Sequence, residues 1–164
     1  MNQFIAIQYT IGDATMPSTN GHTMIAHVCN DIGGWGAGFV LALSKRWKLP
    51  EVQFRQWHRD GIAGSLPFAL GEVQFVRVNE TTVVANMIGQ HGIRGHGKLP
   101  PIRYEAVDQA LGKVGEEALK MNASVHMPRI GCGLAGGTWD RIEPLILSRL
   151  SNRGIAVKVY DLTS

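Results

Sequence analysis

Val125-His126-Met127-Pro128-Arg129-Ile130-Gly131-Cys132-Gly133-Leu134-Ala135-Gly136 is the stretch that decides the fold. The apolar run Val125 to Ile130 reads as a strand, Gly131 to Gly137 as a glycine loop, and Trp139 to Leu150 as a helix. Strand, glycine loop and helix in that order are a building unit of α/β proteins. Gly131, Gly133 and Gly136 keep a G-x-G-x-x-G spacing. Backbone N–H groups turned inward at such a loop, with a helix N-terminus behind them, make an anion site. Glycine lets a phosphate approach where a Cβ would stand in the way. A Rossmann dinucleotide site would put this motif near the start of the chain, with an acid about 20 residues on. Here it lies near the end, and position 151 is Ser151.

The same unit occurs earlier. Thr23 to Cys29 reads as a buried strand, Gly33-Gly34-Trp35-Gly36-Ala37-Gly38 follows, and Phe39 to Trp47 carries helical spacing. In parallel sheets, ligands sit at the carboxyl ends of the strands, so both glycine loops belong to one edge. Two such cradles suit a diphosphate better than one phosphate. Phe4 to Thr10 reads as a first strand, followed by Gly12-Asp13-Ala14-Thr15 and a loop over Pro17-Ser18-Thr19-Asn20-Gly21. At that edge, Asp13 could accept a hydrogen bond from an adenine amino group while the Ala14 N–H donates to a ring nitrogen; alternatively, Asp13 caps a turn.

A helix from Pro50 to about Arg59, strands Glu72 to Val78 and Thr82 to Ile88 joined at Asn79-Glu80, and a loop from Gly89 to Pro101 complete the middle of the chain. Ile102 to Met121 places Val107, Leu111, Val114 and Ala118 on one helical face, and Ile155 to Leu162 reads as a last strand. Strands alternating with helices, with one hairpin, predict an α/β fold with a mixed sheet covered on both faces.

The 164 residues fit a single domain, 1–164, with a sizeable core. Glycine is over-represented at 20 residues, which implies several tight loops. A net charge of +3 suits an anionic ligand but lacks the basic stripe of a nucleic-acid binder, so nucleic acid is not the expected partner. Two cysteines, Cys29 and Cys132, are too few for a disulfide framework or a Cys-based zinc site, and the histidines form no metal motif. No apolar run reaches membrane-spanning length, so a cytoplasmic protein without a membrane partner is expected.

Gly12-Asp13-Ala14-Thr15, Ala26-His27-Val28-Cys29-Asn30, Asn86-Met87-Ile88 and Met127-Pro128-Arg129-Ile130-Gly131-Cys132-Gly133-Leu134, in this order, resemble the macro domain family. The resemblance covers nearly the whole chain. It is closest to the branch with the terminal ADP-ribose protein glycohydrolase and the yeast-type ADP-ribose 1″-phosphate phosphatase. It implies a three-layer α/β/α sandwich that binds ADP-ribose without a cofactor or metal and hydrolyses an ADP-ribosyl ester on protein or ADP-ribose 1″-phosphate. A non-catalytic ADP-ribose reader is the alternative.

By that resemblance Asp13 and Ala14 meet adenine, with Tyr160 bordering it. Asn30 contacts the distal ribose. Gly33 to Gly38 and Ile130, Gly131, Cys132, Gly133, Leu134, Ala135 and Gly136 wrap the pyrophosphate and that ribose. The branch's glycohydrolase has a lysine after the central strand and an aspartate in the second glycine loop. Ile88-Gly89-Gln90 and Leu134-Ala135-Gly136 stand there instead, which leaves Gln90 as a ligand contact and no amine for a Schiff base.

His27, His91 and His96 are candidates for general acid–base work. The phosphatase relatives carry a stretch similar to that around His27, so the resemblance makes His27 the leading catalytic candidate, beside Asn30 and an Asp31 that could orient a water. A hydrogen-bonded buried histidine is the alternative. His91 and His96 sit in a loop able to cover the distal ribose. Trp35 is a candidate cover for the same sugar. Asp140 reads as a first-turn helix acid, and Cys132 as a packed thiol whose pKa a helix N-terminus would lower.

Overall fold

A computed structural model of the chain describes residues 3–17 and 19–162. Ser18, inside the expected first loop, and the outermost residues at each end lie outside the described residues.

The strands are β1 (Gln8–Ile11), β2 (Thr23–Asn30), β3 (Ile62–Ala63), β4 (Leu66–Pro67), β5 (Val73–Arg77), β6 (Thr82–Gln90), β7 (Ser124–Met127) and β8 (Val157–Asp161). The helices are α1 (Phe39–Arg46), α2 (Leu49–Asp60), α3 (Tyr104–Met121) and α4 (Trp139–Arg149). Six strands form one sheet in the order β1-β8-β7-β2-β6-β5. β5 runs antiparallel to β6, and every other neighbouring pair is parallel.

The side-chain period of two divides the central strands between two cores. β2 gives Met24 and Ala26 to one core, and Ile25 and Cys29 to the other. β6 does the same with Val83, Ala85 and Met87 against Val84 and Ile88. The first core is closed by Leu111 and Val114 of α3 and by Ile142 and Ile146 of α4. The second is closed by Leu43 of α1 and by Phe54 and Trp57 of α2. Burying each large apolar side chain contributes about 1.5–3 kcal/mol. This is the expected α/β/α sandwich around a mixed sheet.

Several boundaries differ from the sequence expectation for local reasons. The first strand occupies Gln8–Ile11 rather than Phe4–Thr10, because pairing with β8 begins at Gln8↔Lys158, while Ile5 N donates to Ser151 O instead. β7 stops at Met127 because Pro128 has no N–H for the ladder. α3 starts at Tyr104 rather than Ile102, because Ile102 is held extended by a bridge to Gln90 and by donation of its N–H to Ala135 O. The loop expected from Gly89 begins after Gln90, and a small β3–β4 hairpin fills the segment after α2. Among the described residues, no helix is long and apolar enough to cross a membrane.

The parallel strands β1, β8, β7, β2 and β6 end on one edge. After β2 the chain moves to β5 and β6 on one side, then crosses back to β7 and β8 on the other. The crossover helix after β2 belongs to one face and that after β7 to the other. A crevice between two such departing segments is the usual ligand position in open α/β sheets.

Candidate functional site

The first wall of this crevice is the loop after β2. Asn30 organises it: Oδ1 accepts from Ile32 N at 3.1 Å and Gly34 N at 2.9 Å, and Nδ2 donates to Gly34 O at 3.1 Å. Gly33 has φ +74°, and a Cβ there would lie 2.3 Å from the His58 ring. Trp35 points beneath the loop and lines no part of the crevice. Its ring packs 5.4 Å from His27 and 5.5 Å from Phe54, and its Nε1 donates to Ser44 Oγ at 2.8 Å. The expected ribose cover is therefore a piece of the core. Gly38 is the N-cap of α1 and has no side chain to satisfy the first helical amides.

The second wall is the loop after β7. Gly137 N donates to Gly131 O at 2.7 Å and Gly136 N to Gly133 O at 3.0 Å, folding it into a compact arch. The arch does not open directly into the helix, because α4 begins at Trp139 with Thr138 as its N-cap. Cys132 precedes that N-cap by six residues. Burial pushes its thiol pKa up, opposite to the sequence expectation, against a smaller lowering by Arg129, and the Asp140 carboxylate in the first turn of α4 adds to the rise. Leu134, at the tip, is 80% exposed. Gly136 faces Pro100 rather than the crevice.

Between the walls lies a cleft in two connected halves of about 210 and 320 Å³ that share Val28, Ala37, Val40, Gln90 and Leu134. That size is ordinary for small-molecule sites. One half also takes in Gly38, Ile130, Gly131, Gly133 and Ala135; the other takes in Asn30, Gly34, Gly36 and Ile93. Gly36 and Gly133 differ from the other glycines. Neither has a positive φ, and a Cβ on either would meet nothing within 4 Å. The fold itself does not require glycine at these two positions, both of which line the cleft.

Asp31 and His91 line neither half of the cleft, although their chain neighbours Asn30, Gln90 and Ile93 do. Asp31 grips the start of the segment after β6. Its Oδ2 lies 2.7 Å from His91 Nδ1, and its Oδ1 accepts from Gly92 N at 2.7 Å. Gln90 Nε2 donates to Gly92 O at 2.9 Å. The segment folds back on itself, with His91 N donating to Pro101 O at 2.9 Å and mutual backbone bonds between His96 and Leu99. His91 is half-exposed, with Nδ1 committed to the carboxylate.

His27 is placed differently. It is 2% exposed, and its Nε2 lies 2.5 Å from Asn86 Oδ1. Asn86 Nδ2 donates to Pro50 O at 3.3 Å and Gln74 Oε1 at 3.1 Å, and Gln74 Nε2 donates to Gln53 O at 3.1 Å. With both amide nitrogens donating, Asn86 Oδ1 accepts, so His27 carries its proton on Nε2. Burial lowers its pKa to about 4, only partly offset by the Asn86 bond. His27 meets the cleft floor as a neutral ring that ties the sheet to α2.

Asp13 closes a local turn: its Oδ1 accepts from Thr15 N at 2.8 Å and Thr15 Oγ1 at 2.7 Å. Ala14 is buried. Tyr160 is buried too, with its hydroxyl 2.8 Å from His126 Nδ1 and its ring beside Gly12. None of these three lines either half of the cleft. Pro128 and Arg129 do line it, inside the quoted motif, and so does Ile93, which no local pattern marks. Among the described residues, no group of three or more His, Cys, Asp or Glu side chains is placed to hold a metal.

No family model matches the chain. A solved protein of Bacteroides thetaiotaomicron is 56% identical, with a TM-score of 0.90 over 96% of this chain and 100% of that one. A Streptomyces coelicolor macrodomain protein is 57% identical, with a TM-score of 0.85 over 96% of this chain and 100% of that one. A Thermosipho africanus DarTG in complex with ADP-ribose shares the fold at 17% identity and a TM-score of 0.67, over 84% of this chain and 37% of that one. Among curated proteins, chromodomain-helicase-DNA-binding protein 1-like of Danio rerio is 33% identical over 94% of this chain, which spans only 15% of its length. An ADP-ribose 1″-phosphate phosphatase of Lodderomyces elongisporus is 22% identical over 96% of this chain and 100% of its own length. With the Streptomyces protein matched end to end at this identity, the chain belongs to the macrodomain family.

Proposed function

We propose that the cleft binds ADP-ribose and that the protein hydrolyses an ADP-ribose linkage, either an ADP-ribosyl ester on protein or ADP-ribose 1″-phosphate. The observation that carries the binding reading is the pair Gly36 and Gly133. Open space where each Cβ would stand, at ordinary backbone angles, leaves close approach of a ligand as the reason for glycine. The pyrophosphate lies between the two arches, against backbone amides and the uncapped start of α1.

Hydrolysis needs a group that takes a proton from an attacking water and returns one to the leaving oxygen. His91 suits this role better than His27. Asp31 fixes its ring through Nδ1, leaving Nε2 to exchange protons, in the orienting logic of a carboxylate–histidine pair. Positioning of the ligand by the arches supplies much of the remaining rate. Asn30 shapes the first arch, and Gln90 stands where an amine-dependent relative has its lysine, so no Schiff base forms. The absence of that amine also favours a second reading, a reader that binds ADP-ribose without turnover.

Incubation with ADP-ribosylated protein and with ADP-ribose 1″-phosphate separates the two. Consumption of either substrate, reduced in His91→Ala, supports the hydrolase. Binding of ADP-ribose without consumption of either supports the reader.

A further inference from the structure

Arg129 and Trp139 bracket the second glycine arch, and both are tied to the outer strands of the sheet. Arg129 donates through Nε and Nη2 to the two carboxylate oxygens of Asp161, at 2.8 and 2.9 Å. Its guanidinium carbon lies 5.1 Å from the ring centre of Tyr9 and 5.0 Å from that of Trp139. Trp139 Nε1 donates to the Tyr9 hydroxyl at 3.0 Å, and that hydroxyl is bonded in turn to Glu143. The two rings meet edge-on at 6.3 Å. Tyr9 belongs to β1 and Asp161 ends β8, which pair in register through Ile11↔Asp161.

The arch between these anchors is pinned at buried Ile130 and Ala135 and by its own backbone bonds. Its Gly133–Leu134 tip is exposed, however, and Gly131 and Gly136 take positive φ. A glycine-rich segment has much conformational freedom to lose on binding, so fixing both of its ends in advance strengthens affinity. A planar guanidinium that is both bidentate and stacked is the side chain best able to do this.

We propose that Tyr9, Arg129, Trp139 and Asp161 form a clamp that holds the second glycine arch in its ligand-ready shape, with Arg129 as a positioning residue. The clamp rests on the reading of the cleft as an ADP-ribose site, but its effect on the arch is measurable without ligand.

The test uses Tyr9→Phe, at a surface position that lines no part of the cleft, and Arg129→Lys, at a position that does line it, so exchange is read on both variants and affinity on Tyr9→Phe. Amide exchange at Gly136 and Gly137 is followed in the free protein, together with ADP-ribose affinity and Tm. The clamp predicts faster exchange at these two amides, affinity of Tyr9→Phe weaker by roughly 3- to 30-fold, and Tm close to wild type. Unchanged exchange at Gly136 and Gly137 in both variants would overturn it, as would exchange accelerated uniformly through the core. If the wild-type protein binds no ADP-ribose, the ligand reading fails while the exchange result still decides the clamp. If exchange quickens and affinity stays at the wild-type value, the arch is clamped but its shape does not set binding, and the proposal falls.

Discussion

His91 Nδ1 lies 2.7 Å from Asp31 Oδ2, a contact between the segments that follow β6 and β2, which pair side by side in the sheet. The same carboxylate accepts from Gly92 N, so the ring and the backbone that carries it are fixed together. If this pair moves the proton, His91→Ala and Asp31→Asn lower the hydrolysis rate by about 10²–10⁴-fold. ADP-ribose affinity changes far less. Single-turnover rates alongside calorimetric affinities check this, and equal losses in both quantities would instead make the pair a binding element.

His27 and His126 predict a pH-dependent stability. Burial holds both at about 4 in the folded chain, against an ordinary 6.5, with Lys158 adding to the effect at His126. The unfolded chain therefore binds more protons between these values. Stability is full above about pH 6.5 and declines as pH falls toward 4. Urea midpoints at pH 7.5 and pH 5 should show the drop. The His27→Gln variant, which keeps a donor for Asn86, should show a shallower one. An equal slope in the variant would mean that His27 is not a source of it.

The thiols offer an inexpensive check of the packing. Burial pushes both Cys29 and Cys132 above their ordinary pKa, Cys29 far more. A thiol reagent at pH 8 should leave Cys29 unmodified in the folded protein and modify Cys132 slowly, with both reacting in denaturant. Rapid modification of Cys29 in the native state would contradict its place in the core.

The fold was legible where the local pattern is strong. Thr23 to Cys29 announces itself as a short apolar run and Val107 to Ala118 by helical spacing, and the two glycine runs mark where the strands end. Legibility fades where a partner distant in sequence decides. Ile102 belongs to a helical pattern, yet Gln90 and Ala135 hold it extended. His27 resembles a catalytic residue until Asn86, Gln74 and the α2 backbone surround it. Asp31 and His91 each stood out as candidates, but nothing in either local stretch says that they meet. Trp35 could have faced either side of its loop, and the gap between β2 and α2 took it.

ADP-ribose binding in the cleft depends on the space at Gly133. A Cβ there would meet nothing within 4 Å in the free protein, at a position that lines the cleft. Gly133→Val should therefore keep the wild-type Tm while abolishing binding. Calorimetric titration of both proteins with ADP-ribose is the direct measurement. The account predicts one saturable site in the wild type and a loss of at least about 100-fold in the variant, on the order of 3 kcal/mol. No heat from the wild type at millimolar ADP-ribose, or equal affinity in the variant, would contradict it.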